Sequence, residues 1–176
     1  MPYDLNRLNL LVVEPDADVA STWRRLAATL RIKTPHIVPN SAQAWTLLKG
    51  VPQANGSVAG LRVDAVIVRW ELPGEDGLNL ITRLRRDPDS PAPFLPAVIV
   101  TGTVTRERIR RALDAGVNEV LALPLAPKAV ESRLREMVER PRKFIRDGGY
   151  FGPDRRRQVR ADYAGPFRRA ADRAAE

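Results

Sequence analysis

Carboxylates gather at two places in the chain. Glu14-Pro15-Asp16 follows an apolar run that ends at Val13, and Glu71, Glu75 and Asp76 lie close together further on. Neighbouring acids can hold a hard cation or activate a water as general base. Hydrolysis needs a partner for them, and the sequence supplies none. There is no cysteine, and the single histidine, His36, sits in the apolar run Pro35 to Val38, where it reads as a strand residue. No GxxxxGK[ST] or GxGxxG segment is present to cradle a nucleotide's phosphates. Enzymatic activity and a bound cofactor or metal are therefore not expected. The lack of cysteine excludes disulfides and thiolate metal sites and suits a reducing cytoplasm.

Guanidinium groups are the second chemical resource. Lysine and arginine total 29 against 21 acids, for a net charge of +8. Residues 141 to 176 hold ten basic and five acidic side chains, a net of +5, which leaves +3 for the first 140. This basic region contains an internal repeat, Tyr150-Phe-Gly-Pro-Asp-Arg-Arg-Arg157 and Tyr163-Ala-Gly-Pro-Phe-Arg-Arg-Ala170, offset by 13 positions. Each Gly-Pro pair imposes a turn between an aromatic side chain and a pair of guanidiniums.

Three readings of the repeat stay open. Tyr150, Phe151, Tyr163 and Phe167 can anchor on a protein partner while Arg155, Arg156, Arg157, Arg168 and Arg169 pair with its acids. The same groups can stack on bases and bind phosphates, as in RNA or a cyclic dinucleotide; Arg156 and Arg160 have an Arg-x-x-x-Arg spacing, although no Asp/Asn-x-Ser-x-x-Gly motif accompanies it. In the third reading the tail folds back over its own domain or a dimer mate, with the aromatics covering apolar surface.

The elements that must position these groups follow from periodicity. Short β-branched runs at Leu8 to Val13, His36 to Val38, Asp64 to Val68, Ala97 to Thr101 and Glu119 to Leu123 alternate with stretches of helical period. Asp16 or Asp18 caps a helix reaching about Leu30, and Asn40 or Ser41 opens a second. A third runs from Gly77 to Arg86, a fourth from Thr105 to Gly116, and a fifth from Pro127 to Glu139 with proline in its first turn. Five such units make a doubly wound parallel α/β sheet. The connections at 51 to 62 and 87 to 96, rich in Pro, Gly and Asn, are expected to be exposed. Periodicity ends near residue 140, dividing the chain into a domain of residues 1–140 and a C-terminal extension of residues 141–176. Met1-Pro2-Tyr3-Asp4 has no basic stretch leading into an apolar run, and no window is apolar enough to span a membrane, so a soluble cytoplasmic protein is expected.

In an open parallel sheet the site forms beyond the C-terminal ends of the strands. The residues delivered there carry a resemblance. Asp64-Ala-Val-Ile-Val-Arg-Trp-Glu-Leu-Pro-Gly-Glu-Asp-Gly77 is similar to the third strand and loop of response-regulator receiver domains, with Pro73 and Gly77 at the family's positions. Val98 to Gly102, Ala112-Leu-Asp-Ala-Gly-Val117 and Leu123-Pro124 match in order and distance. The resemblance spans about residues 7 to 139 and implies the flavodoxin-like (βα)5 fold with strand order 2-1-3-4-5. It also implies a degenerate pocket. Arg69 stands where the phosphate-accepting aspartate belongs, Pro15 replaces one of two Mg²⁺-holding acids, and Leu123 replaces a lysine. Glu14, Asp16 and Thr101 remain. A guanidinium is no nucleophile at neutral pH and does not ligate Mg²⁺, so aspartyl phosphorylation is expected to fail. Arg69 either pairs with Glu14 in the space of cation and aspartate or points into solvent, and Thr101 has no phosphoryl oxygen to follow.

In receiver domains the fourth and fifth helices form the partner and dimer face. Here they carry Arg106, Arg108, Arg110, Arg111, Lys128, Arg133 and Arg135. The implied function is phosphorylation-independent adaptor or regulator in bacterial two-component signalling. Its expected partner is another signalling protein, with a homodimer mate as a second candidate. An arginine-tail sensor of RNA or a cyclic dinucleotide is the alternative.

Overall fold

The computed structural model describes residues 4–52, 58–59 and 61–155. Five parallel strands form one sheet: β1 (Leu10–Val13), β2 (His36–Val38), β3 (Ala65–Arg69), β4 (Ala97–Thr101) and β5 (Glu119–Ala122), in the order 2-1-3-4-5. The connecting helices are α1 (Ala17–Thr29), α2 (Ser41–Lys49), α3 (Leu78–Arg86), α4 (Arg106–Asp114) and α5 (Pro127–Glu139). Of the alternatives left by the sequence, Asp16 caps α1 and Asn40 caps α2, each accepting backbone N–H groups of the first turn.

Strand alternation sorts the core into two layers. Leu11, Val13, Val66, Val68, Ala97 and Ile99 point to the face covered by α2, α3 and α4, where Trp45, Ile81, Leu84 and Ala112 meet them. Leu10, Val12, Ala65, Ile67, Val98 and Val100 point the other way, onto Trp23 and Leu26 of α1 and Val130, Leu134 and Met137 of α5. Because helices cover both faces, the central strands are apolar at almost every position and do not alternate with polar residues.

Three boundaries differ from the sequence reading in ways that matter. The chain before β1 makes a short 3-10 turn, Leu5–Arg7, so the strand opens at Leu10. β3 extends to Arg69, which pairs with Val100 of β4, making Arg69 a strand residue instead of a loop residue. β5 stops at Ala122, leaving Leu123 just outside the sheet with its N–H bonded to the Thr101 carbonyl. Nor are the two long connections plain exposed loops. Val51–Pro52 pairs antiparallel with Val58–Ala59, and Leu95 is buried.

The segment after α5 does not begin as a free tail. Phe144–Asp147 (β6) and Tyr150–Pro153 (β7) form an antiparallel hairpin closed by Gly148 and Gly149, both at positive φ, as a two-residue turn requires. The hairpin lies against the end of the domain where α3 stops and β5 begins. Phe144 and Phe151 cluster with Phe94 at centroid separations of 5.1 to 5.7 Å. Under Phe144 lies the guanidinium of Arg85, 4.9 Å from the ring centroid. Arg85 is buried and, among the described residues, has no carboxylate in ion-pair contact; it donates to the carbonyls of Pro93, Leu95 and Gly116 at 2.7 to 3.2 Å. Burial pushes its pKa down to about 10, which still leaves it charged at neutral pH.

Gly152 seats the hairpin: a Cβ there would stand 2.8 Å from Gly116 Cα and 2.5 Å from the Tyr150 hydroxyl. Gly152→Ala is therefore expected to lower unfolding free energy by about 1–3 kcal/mol, the usual cost of overpacking. Amide exchange across residues 144–153 should speed up in parallel. Unchanged denaturation and unchanged exchange would show that the hairpin is not seated through this contact.

Candidate functional site

Parallel pairing brings the ends of β1, β3 and β4 to one edge of the sheet, with Val13 beside Val68 and Arg69 beside Val100. Beyond Arg69 the chain stays extended: Glu71–Leu72 pairs antiparallel with Glu75–Asp76. Gly77 allows this loop to close, because a Cβ there would lie 2.0 Å from the Arg69 carbonyl oxygen. In extended backbone, alternate side chains share a side. Trp70 turns into the core, and Arg69 and Glu71 meet on the edge, with Arg69 Nε donating to Glu71 Oε2 at 3.0 Å.

The other oxygen of Glu71 is the focus of the site. Glu71 Oε1 accepts the Thr101 hydroxyl from β4 at 3.0 Å and also accepts Arg108 Nη1 from α4. Arg108 Nη1 donates in turn to Thr101 Oγ1 at 2.6 Å. One turn further along α4, Arg111 pairs with Asp76 at 2.6 Å, and the guanidiniums of Arg108 and Arg111 lie 4.8 and 5.4 Å from the Trp70 ring centroid. Two ion pairs and an aromatic ring thus strap α4 to the loop after β3.

The expected direct pairing of Arg69 with Glu14 is looser than the sequence suggested. Arg69 Nη1 lies 3.8 Å from Glu14 Oε2 and makes no hydrogen bond. The other reading, an arginine in solvent, is not what the structure shows: its side chain is only 20% exposed. Its close partner is Glu71, two residues along the same extended segment. The period-two alternation around Trp70 was the available signal for that pair. Thr101 is likewise corrected: its hydroxyl has a partner, the Glu71 carboxylate.

Glu14 has a different environment. Its side chain is 2% exposed, and its Oε1 accepts the Asp16 N–H at 3.0 Å. Burial raises its pKa, an effect only partly offset by the Asp16 N–H and by Arg69. For Glu71 burial also opposes the charge, but hydrogen bonds from Arg108, Thr101 and Arg69 outweigh it and hold the carboxyl below its usual range.

These residues do not fit Mg²⁺. Asp16 Oδ1 accepts the N–H groups of Asp18 and Val19 as the cap of α1, Pro15 has no side-chain oxygen, and Arg69 places a cation beside Glu14. Among the described residues no cluster of metal-ligating side chains occurs.

On the α4 and α5 face, Arg106, Arg110 and Lys128 are exposed. The four other cations expected there are already engaged: Arg108 by Glu71, Arg111 by Asp76, Arg133 by Glu119, and Arg135 by Glu131 and Glu139. Of the repeat residues, Tyr150, Phe151 and Arg155 are described. Phe151 sits in the aromatic cluster, and Arg155 lies over the Tyr150 ring at 4.1 Å while pairing with Asp114. Arg156, Arg157, Arg160, Tyr163, Phe167, Arg168 and Arg169 lie outside the described residues. Among the described residues, no helix is long and apolar enough to cross a membrane.

A carboxyl whose pKa is raised on folding stabilises the protein at low pH, and that contribution disappears as pH rises through the folded value. Glu14→Gln keeps an acceptor for the Asp16 N–H and removes the desolvated charge. It is expected to leave stability unchanged or raise it by up to about 1 kcal/mol at pH 7, with the difference vanishing in acid. Denaturant melts at pH 4 and pH 7 check this; a loss of about 3 kcal/mol at pH 7 would mean that the Arg69 ion pair dominates.

Residues 10–135 match the family model of the response regulator receiver domain. Chemotaxis protein CheY-3 of Vibrio cholerae is 31% identical over 77 residues, covering 44% of this chain and 58% of that relative. Response regulator RppA of Synechocystis is 26% identical over 137 residues, 78% of this chain and 53% of that protein. The chain thus spans little more than half the length of these curated relatives. Among solved structures, the signal receiver domain of an HD domain-containing protein from Pseudomonas fluorescens aligns with a TM-score of 0.61 and 25% identity, over 76% of this chain and 95% of that one. CheY4 of Vibrio cholerae aligns at 0.58 with 17% identity, over 73% and 97%. With most of its length matched by the family model and its strand order that of the fold, the chain belongs to the response regulator receiver domain family.

Proposed function

We propose that this receiver domain acts by protein–protein contact, as an adaptor or regulator in two-component signalling that does not depend on its own phosphorylation. The observation that carries the reading is the Glu71 carboxylate, which already holds Arg69, Thr101 and Arg108. A side chain of the protein itself fills the position from which a phosphoryl group would draw the β4 hydroxyl. The acceptor aspartate is replaced by Arg69 and the lysine by Leu123, so neither a nucleophile nor a cation site remains.

Because Arg108 and Arg111 tie α4 to the loop after β3, the α4, β5 and α5 surface is held in one arrangement. That surface is the proposed partner face. Arg106, Arg110 and Lys128 remain exposed on it and would steer an acidic partner during approach. The hairpin supports a protein-binding over a nucleic-acid reading of the C-terminal extension, since Phe151 is packed and Arg155 already stacks on Tyr150.

The test is titration with Mg²⁺ and beryllofluoride, an acyl-phosphate mimic, with tryptophan fluorescence as readout. Trp70 lies within 5.4 Å of both α4 guanidiniums and reports any shift of that helix. No change in emission is expected; a saturable change would show that the pocket still takes a phosphoryl analogue and would overturn the proposal.

A further inference from the structure

A groove of about 420 Å³ runs between α4 and β5, with Val104, Ile109, Leu113 and Val120 among its lining. Val104 and Ile109 are 50% and 40% exposed; with Phe94 they are the large hydrophobic side chains left exposed among the described residues. Cations rim the groove, but each has a carboxylate. Arg133 and Arg142 both bond Glu119, at 3.2 and 2.6 Å, and Arg155 bonds Asp114 at 2.9 Å. With its rim cations held in ion pairs, Arg133 and Arg142 sharing one carboxylate, the groove itself is lined largely by apolar side chains and suits an aromatic or aliphatic segment.

Arg155 is also where the described chain ends, and it lines the groove itself. The 21 residues from 156 to 176 start from that rim. Tyr163 lies eight residues on, within about 27 Å of extended chain, enough to lie along α4.

The first repeat unit shows how such a segment is built. Tyr150 Oη donates to the Pro153 carbonyl at 2.8 Å, and Arg155 covers the tyrosine ring. These contacts use only positions that the second unit repeats as Tyr163, Gly165, Pro166 and Arg168. The units differ in where the second aromatic stands. Ala164 replaces Phe151, and Phe167 replaces Asp154. The second unit thus lacks the anchor for the Phe94 and Phe144 cluster, which Phe151 already fills, and carries an anchor in need of another apolar surface.

We propose that the second unit, through Tyr163 and Phe167, occupies the α4 and β5 groove of its own chain and covers it until a partner displaces it. Only the identification of the groove with the partner face rests on the function proposed above. A tether this short gives an effective concentration on the order of millimolar, so even a weak contact would keep the groove covered.

The chain has no cysteine of its own, so paired substitutions report a single disulfide. In the full chain, Ala122→Cys at the groove with Arg168→Cys beside Phe167 is expected to form an intrachain disulfide at a rate independent of protein concentration. It should form at least about tenfold faster than Gln43→Cys on α2 with the same Arg168→Cys, as local concentration dictates. Equal rates for the two pairs would overturn the proposal, and interchain dimers that grow with concentration would assign the groove to a second copy instead. Without added cysteines, the double variant Tyr163→Ala/Phe167→Ala should exchange amides of residues 104–113 and 119–122 several-fold faster than the parent chain; identical exchange would also overturn it. A beryllofluoride response would sink the proposed function and leave the groove result standing, and a failed crosslink would leave the locked pocket intact.

Discussion

One carboxylate gathers donors from two strands and a helix. Glu71 holds Arg69 from β3, Thr101 from β4 and Arg108 from α4, and the arrangement of the sheet's functional edge follows from that convergence. The individual contacts are modest, since Glu71 is partly exposed and an exposed ion pair contributes roughly 0–1 kcal/mol. What the network supplies is geometry. Each donor is fixed by a different element, and the carboxylate satisfies all three only if those elements keep their relative positions. A diffusible anion at the same place could leave and release α4. A carboxylate tethered through a hairpin whose closure depends on Gly77 departs only when that hairpin moves.

The second charged fastening lies at the opposite end of the sheet and works on different chemistry. Arg85 is buried and surrounded by carbonyl oxygens, with an aromatic ring above it. Among the described residues its charge is met by carbonyl dipoles, and Phe144 of the hairpin lies over it. The hairpin and the domain therefore meet through two contacts: the domain provides the apolar seat at Phe94, and the hairpin sets Phe144 over the buried Arg85 guanidinium. The family match ends at residue 135, so the hairpin lies beyond the matched residues while Phe94 lies within them.

Much of this was legible in the sequence because burial leaves a period. The five strands and five helices fell close to their observed places, with Asp16, Asn40 and Thr105 acting as caps. The positions compared with the family's pocket were located by spacing from Gly77, Thr101 and Pro124. Side-chain pairing was less so. Arg69 was matched with Glu14 across strands by proximity of strand ends, although the alternation Arg69, Trp70, Glu71 put a nearer carboxylate on the same side of one strand. The hairpin was missed because Phe144 to Pro153 carries no long apolar alternation. Its signal was local: two four-residue runs flanking Gly148-Gly149, the composition of a two-residue turn. Arg85 was invisible as a buried residue, since a charge on a helix reads as solvated unless the surrounding carbonyls are known.

On the function proposed above, a receiver whose pocket is closed by its own glutamate would have lost the variable that phosphorylation provides, and regulation would act on the face instead of the pocket. An apolar groove whose rim cations are already ion-paired discriminates mainly by shape and desolvation, and its apolar contacts are weakly screened by salt. A segment tethered beside such a groove sets a threshold: an external ligand must exceed the tether's effective concentration, weighted by the ratio of the two affinities, before it occupies half the sites. The midpoint of that response moves with the tail's composition and not with pocket chemistry. The two halves of the chain can therefore vary separately, with the domain fixing the shape of the face and the repeat fixing how much partner is needed to uncover it.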